Sequence, residues 1–339
     1  MKTIAFFNNK GGVGKTSLVY HLAWMFAEEG QRVLAVDLDP QANLTAMMLS
    51  EEDLESFWPL DGRHEKTILG AIDPIMRGVG DIANCPPMKI DDSIALLVGD
   101  LGLSAFEDRL SYNWSVTPDQ GEAAFRVVSS FYRLMQKAGR EFGADILLVD
   151  VGPNLGAINR VALVSSDFVV VPLAPDLFSL QGLRNLGPTL RDWRNEWRLR
   201  LDSTKRPPDL ELPLGTMKPS GYIVMQHAVR LDRPVKAYRR WLIRIPSEYA
   251  RSVLLSKAST GLLVESDHNC LGLLKHYRSL MPLAMEARKP MFLLKPADGA
   301  IGAHQEAVMQ CRLDFSALAK RIQETTEGGP VDRSRKTAP

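Results

Sequence analysis

The sequence predicts an α/β fold, a mostly parallel, twisted sheet covered by helices on both faces. Three observations carry this. Strand-like apolar runs alternate with helix-like stretches, the pattern of a parallel sheet whose crossovers are helices. A glycine-rich stretch, NNKGGVGKTS at 8–17, stands between the first strand-like run and the first helix-like one, where a phosphate-binding loop has to stand. An almost wholly apolar run, DILLVDVGPN at 145–154, ends its strand on Asp150, the place for a carboxylate beside such a loop.

Taken in order, residues 3–7 (TIAFF) form a short β-branched and aromatic run. Residues 17–29 then place Leu18, Leu22, Met25 and Phe26 at helical spacing. A strand at 32–37 (RVLAVD) leads to the loop LDPQAN and a short helix from Leu44. Residues 50–92, acidic and then rich in Pro and Gly, read as a variable connection with one or two short helices. SIALLVGD (93–100) is a strand, LSAFEDRL a helical turn, and 122–142 one longer helix. After the strand at 145–154 come DFVVVPLAP (167–175), GYIVMQ (221–226) and WLIRIP (241–246), read as the strands that complete the sheet. The last helix spans about 302–323. The chain is read as a single domain over 1–325, with variable insertions at 50–92, about 200–220 and about 255–280. Residues 326–339 are a polar tail with the composition of a disordered segment.

The loop carries the chemistry. In G-x-x-x-x-G-K-[ST], glycine-rich backbone turns its N–H groups onto phosphates and a lysine neutralises the outer charge. Here Gly11, Gly12, Val13, Gly14, Lys15, Thr16 and Ser17 are the phosphate-cradling residues, and Asn9 stands where the pattern has its first glycine. The helix that follows adds its N-terminal partial charge to the same pocket. Lys10 is a second lysine for which this motif has no use. Asp150 is placed to hold a magnesium-bound water.

Composition narrows the function classes. The 339 residues are 45% hydrophobic with a net charge of +1, so global charge gives no argument for nucleic acid. Cys85, Cys270 and Cys311 form no C-x-x-C pair, which indicates neither a zinc site nor a disulfide framework. A reducing cytoplasm is the natural reading. The apolar run at 4–7 is too short for a signal peptide, and no run approaches the ~18 residues of a membrane span.

KGGVGKTS, together with VDLDPQANLT (36–45) and LLVDVGPN, resembles the ParA/MinD family of deviant Walker ATPases. LLVGDLGLSAFEDRL (97–110), VVVPLAPDLFSLQGL (169–183) and the stretch 286–308 extend the likeness over most of the chain outside the variable segments. The resemblance implies a deviant Walker, SIMIBI-type P-loop NTPase that takes ATP and Mg2+. It implies a slow ATPase whose output is an ATP-dependent homodimer, with an activating ParB-like or other protein partner, in plasmid or chromosome partition. Lys10 matches the lysine that reaches the phosphates of the partner subunit, which answers why the loop has two lysines. Lys15 matches the β/γ-phosphate lysine, Thr16 the magnesium ligand, and Asp39 the switch carboxylate that orients the attacking water. Asp37 would assist the metal shell and Asp150 matches the second switch. Where the family has D-x-P-P this chain has DVGP, so Gly152 replaces the first proline, and a looser second switch is expected. Gln226 and Pro246 match the adenine-binding positions, although a place at the edge of the core explains them equally well.

Other classes on this loop fit less well. Electron-transferring iron proteins and iron–sulfur carriers need paired cysteines, biotin- and cobalamin-type ligases lack the DPQAN motif, and a membrane-bound MinD-like switch needs a C-terminal amphipathic helix. Non-specific DNA binding rests on 184–257, with 16 Lys or Arg against 7 Asp or Glu, a local balance of +9. RDWRNEWRLR (191–200) sets Trp193 and Trp197 on one helix face and Arg191, Arg194 and Arg198 on another. A helix packed by its tryptophans, with solvated arginines, explains the same pattern. No helix-turn-helix precedes the loop, which argues against operator recognition. The alternative is a MinD-like positioning or regulatory ATPase that recruits a protein without binding DNA.

Overall fold

The computed structural model describes all residues except 61, 116–120, 204–206, 228, 231–232, 235, 258–260, 278 and 328–339. Among the described residues one sheet has eight strands: β1 (Lys2–Phe6), β2 (Val33–Leu38), β3 (Met88–Lys89), β4 (Ile94–Leu97), β5 (Ile146–Val151), β6 (Phe168–Leu173), β7 (Lys218–His227) and β8 (Cys270–Lys275). Their order is β8-β7-β6-β1-β5-β2-β4-β3. Every neighbouring pair is parallel except β3 with β4.

Both faces are covered, and the sequence shows why. Along β1, Ile4 and Phe6 belong to one apolar cluster and Ala5 and Phe7 to the other, and β5 and β6 alternate in the same way. A strand buried on both sides reads as an unbroken apolar run, as TIAFF and FVVVPL do. One cluster is shared with the helices Lys15–Glu28 and Ala303–Thr326, the other with Ser130–Phe142, Ala157–Val164 and Leu177–Ser203.

Three expectations are corrected. WLIRIP is not a strand: Lys236–Leu242 and Ile245–Ser252 are helices, with Pro246 in the first turn of the second. Leu242, Ile245, Tyr249 and Val253 are buried, a spacing of three to four that suits a helix, and proline is at home in a first turn. The strand that completes the sheet is β8, inside the segment read as variable. The helix expected over 122–142 is two, Gly121–Val128 and Ser130–Phe142. Between them the Ser129 hydroxyl donates to the Phe125 carbonyl at 2.6 Å, and such serine back-bonding bends helices. The last helix runs on to Thr326, beyond the expected end near 323; residues 328–339, nearly all of the expected tail, lie outside the described residues.

Candidate functional site

The strand order puts β1 between β5 and β6, with β2 beyond β5, so the loops after these four strands meet at the carboxyl edge of the sheet, where ligands of open α/β sheets bind. Registration sets the depth. Asp150 is the partner of Phe6 on one side and of Asp37 on the other, which brings the two strand-end carboxylates level on adjacent strands.

Glycine is required at two points of the phosphate loop, where Gly12 and Gly14 have φ of 74° and 87°, the left-handed region that favours it. Gly14 is also the N-cap of the helix Lys15–Glu28. Asn8, which the motif does not single out, anchors the loop: its buried amide donates to the Pro172 carbonyl at 2.6 Å and accepts from the Lys10 N–H at 3.1 Å. Residues 10–17, Asp39, Gln41, Asn43 and Pro153 enclose a cavity of about 390 Å3.

Lys15 forms a buried ion pair with Asp150. Burial pushes the Asp150 carboxyl up, against the pull of Lys15 and Thr16. Its second oxygen, Oδ2, is buried without a hydrogen-bond partner. Such an oxygen suits a cation or the water of one. Among the described residues no group of three or more His, Cys, Asp or Glu is arranged to hold a metal, and Mg2+ bound through phosphate oxygens and waters needs none. Thr16, Asp39 and Asp150 therefore fit a magnesium ion brought with a nucleotide.

Asp37 is turned to the backbone. Its oxygens accept the Thr45 N–H at 2.8 Å and the Asp39 N–H at 3.3 Å, so it fixes the backbone that follows β2. Burial first, then the Asp150 charge, pushes its carboxyl well above the usual carboxylate range. Asp39 is buried and accepts the Gln41 N–H at 3.0 Å. It lies against Gly152, where an added Cβ would stand 3.5 Å from Asp39 Oδ1.

Lys10 pairs with Asp176 of its own chain, with its ammonium 5.9 Å from the Phe178 ring. Asp176 also accepts the Ser179 N–H at 2.8 Å in the first turn of the helix Leu177–Ser203. Nothing local in the sequence signals this partner, 166 residues away.

The adenine positions divide. Gln226 lies in β7 at the carboxyl edge, and its side chain is outside the described ones. Pro246 is buried in a helix that packs on Leu177–Ser203, and its neighbours Ile245 and Tyr249 belong to the apolar cluster that excludes the Lys15–Glu28 helix. The strand-end reason for choosing it is gone. A small apolar cavity of about 120 Å3 does open beside Gly14 and Ser17, between Met225, Leu274, His276, Tyr277 and Phe315. Leu274 comes from the end of β8, the strand missed in the sequence, and His276 and Tyr277 follow it.

The basic segment is partly spent inside the fold. Trp193 and Trp197 are buried as expected. Arg191 donates to the Ser252 carbonyl at 3.3 Å and Arg194 to the Met217 carbonyl at 2.7 Å, and burial holds the Arg194 guanidinium below its usual pKa. Arg198 is exposed. So are Arg239, Arg240 and Arg244, the last two over the faces of Trp241 at 4.6 and 5.5 Å.

A family model described as an AAA domain matches residues 1–203. Protein IncC of Escherichia coli is 31% identical over 198 residues, 58% of this chain and 47% of IncC. The chromosome-partitioning ATPase Soj of Thermus thermophilus is 29% identical over 194 residues, 57% of this chain and 63% of Soj. The chain belongs to the ParA/MinD family. It spans about half to two thirds of the length of these curated relatives. The crystal structure of protein DIP2308 from Corynebacterium diphtheriae matches with a TM-score of 0.71 and 27% identity, over 96% of this chain and 99% of that one. The family-model match thus takes in the phosphate loop, Asp39, Asp150 and the helix of Arg191, Arg194 and Arg198, while Gln226, Pro246 and β8 lie beyond residues 1–203. Among the described residues no helix is long and apolar enough to cross a membrane.

Proposed function

We propose that this chain binds Mg2+–ATP at the carboxyl edge of β1 and β5, hydrolyses it slowly, and uses the bound nucleotide to close two copies into a dimer, as a partition ATPase. The observation that carries the reading is the cavity shared by the left-handed turns at Gly12 and Gly14, the Lys15 ammonium and the Asp39 carboxylate. Backbone N–H groups of 11–16 would hold the phosphates, and Lys15 would neutralise the outer ones. Thr16, Asp39 and Asp150, with Asp37 behind them, would hold the metal mostly through water. Bound magnesium supplies positive charge to the oxygens that gain negative charge during phosphoryl transfer. Asp39 would orient the attacking water, and Lys10, released from Asp176, would reach the phosphates bound by the other copy. The base fits the apolar cavity between Met225 and Tyr277.

Non-specific DNA binding by the closed dimer would use Arg198, Arg239, Arg240 and Arg244. Arg191 and Arg194 are committed to backbone carbonyls, and that favours the second reading, a switch that recruits a protein without DNA. Equilibrium binding of a labelled ATP analogue with Mg2+, followed by phosphate release with and without DNA, tests the reading. Slow turnover raised by DNA or a partner is expected. No analogue binding at millimolar nucleotide refutes the nucleotide site.

A further inference from the structure

The replacement of a proline by Gly152 predicts a loose second switch loop, yet the loop is held by one side chain. Asn159, buried in the helix Ala157–Val164, accepts the Gly152 N–H on Oδ1 at 3.1 Å and donates from Nδ2 to the Gly152 carbonyl at 2.8 Å. The same Nδ2 donates to the Asn154 carbonyl at 2.6 Å. Only an amide offers acceptor and donor side by side for both polar groups of one residue. The helix that carries it is fixed from outside, because the Glu107 carboxylate accepts the N–H groups of Ala157 and, at 3.0 Å, Ile158.

Neither space nor backbone demands a glycine at 152. Its φ is not in the left-handed region, and an added Cβ would meet Asp39 Oδ1, Asn154 Nδ2 and Asn159 Nδ2 only at ordinary contact, 3.5–3.6 Å. Gly152 also precedes Pro153, which favours extended backbone compatible with the φ of a proline.

We propose that Asn159 is the positioning residue of the second switch: its amide clamps both polar groups of Gly152, stiffens the loop as the missing proline would, and fixes it against Asp39. The inference rests on the ATPase reading of this site. Asn159→Ala frees the loop, and a displacement of about 1 Å beside the reacting atoms costs up to about 100-fold in rate. Gly152→Pro alone removes the N–H and leaves Oδ1 buried without a partner. The two changes together remove the unpaired N–H and the unpaired Oδ1, leave only the 152 and 154 carbonyls without their Nδ2 donor, and restore stiffness through the ring.

The experiment measures ATP turnover, ATP-analogue affinity and backbone hydrogen exchange over 150–156 in the full chain and these three variants. Asn159→Ala should lose about 10- to 100-fold in turnover while affinity stays within about threefold, and exchange should quicken at least about tenfold. Gly152→Pro/Asn159→Ala should recover turnover to within about fivefold of the parent. Rescue by the double variant also supports the clamp if Asn159→Ala alone does not fold. Parent-like turnover and exchange in Asn159→Ala, or a double variant no better than the worse single one, overturns it. If the parent hydrolyses no ATP, the ATPase reading fails, and exchange over 150–156 still decides the clamp.

Discussion

Replacing Lys15 by methionine removes a charge and keeps most of the apolar stem. Lys15 and Asp150 are paired with side-chain exposures of 7% and 0%, and Asp37 lies level with Asp150 on the adjacent strand. The variant would leave the buried Asp150 carboxyl without its cation, beside the buried Asp37. Breaking one side of a buried pair costs about 3–5 kcal/mol. With an unfolding entropy of about 2.1 cal/mol/K per residue, a chain of this length has roughly 0.7 kcal/mol/K, so Tm should drop by roughly 4–7 °C. The loss has a pH signature. With Lys15 gone, the Asp150 carboxyl is raised further above its unfolded value, and the folded variant holds a proton that the unfolded chain has released. Stability of the variant relative to the parent therefore falls as pH rises, by up to about 1.4 kcal/mol per unit, and recovers toward pH 5. Lys15→Met/Asp150→Asn should regain most of the Tm without regaining ATP-analogue binding. Thermal melts from pH 5 to 8 on parent, single and double variants decide it. A single variant that melts with the parent at pH 8, or a double variant no more stable than the single, refutes the buried-pair reasoning.

Asp39→Ala should bind ATP and dimerise yet lose about 10²- to 10⁴-fold in turnover, the usual cost of a positioned carboxylate; phosphate release at the parent rate would remove Asp39 from the mechanism. His21 stacks on Phe315, sits with Nδ1 2.6 Å from the Ser17 carbonyl, and accepts the Met291 N–H on Nε2 at 3.1 Å; burial lowers its pKa from 6.5 to about 4. The unfolded chain then binds the extra proton between those values, so stability should fall by roughly 3 kcal/mol as pH drops from 6.5 to 4, and His21→Gln should flatten that part of the profile. Charge reversal at Arg198 and Arg240 should weaken DNA binding in ATP and reduce its salt slope by about 0.9 for each phosphate left without its arginine, while gel shifts unchanged in strength and slope would favour the protein-recruiting reading.

What the sequence made legible is what it encodes locally. Residues 8–17 form one continuous motif, and its cavity is lined by the residues that the motif names. Asp150 stood out because it ends an apolar run buried on both faces, and Asp39 only through the DPQAN motif of the resemblance. The partners of these groups were not, because the sheet order alone brings them close: Asn8 meets Pro172 and Lys10 meets Asp176 across more than 160 residues. Asn159 lies only seven residues from Gly152, but nothing in a lone asparagine announces which backbone it will clamp. WLIRIP failed for a different reason. A short apolar run has no decisive period, and only the helix at 245–252 shows that Ile245 pairs in spacing with Tyr249. The spacing of 191–200 separates its arginines from its tryptophans, yet the backbone carbonyls that take up Arg191 and Arg194 come from 252 and 217, beyond any local reading.

If nucleotide joins two copies through Lys10, molar mass by multi-angle light scattering should show it. The parent should be monomeric with ADP. The Asp39→Ala chain, which keeps its nucleotide intact, should run at about twice that mass with Mg2+–ATP. Lys10→Ala should bind the ATP analogue with near-parent affinity and stay at the monomer mass. A Lys10→Ala chain that doubles its mass with ATP, or a parent and an Asp39→Ala chain whose masses are the same in ATP and ADP, would rule out the trans role of Lys10.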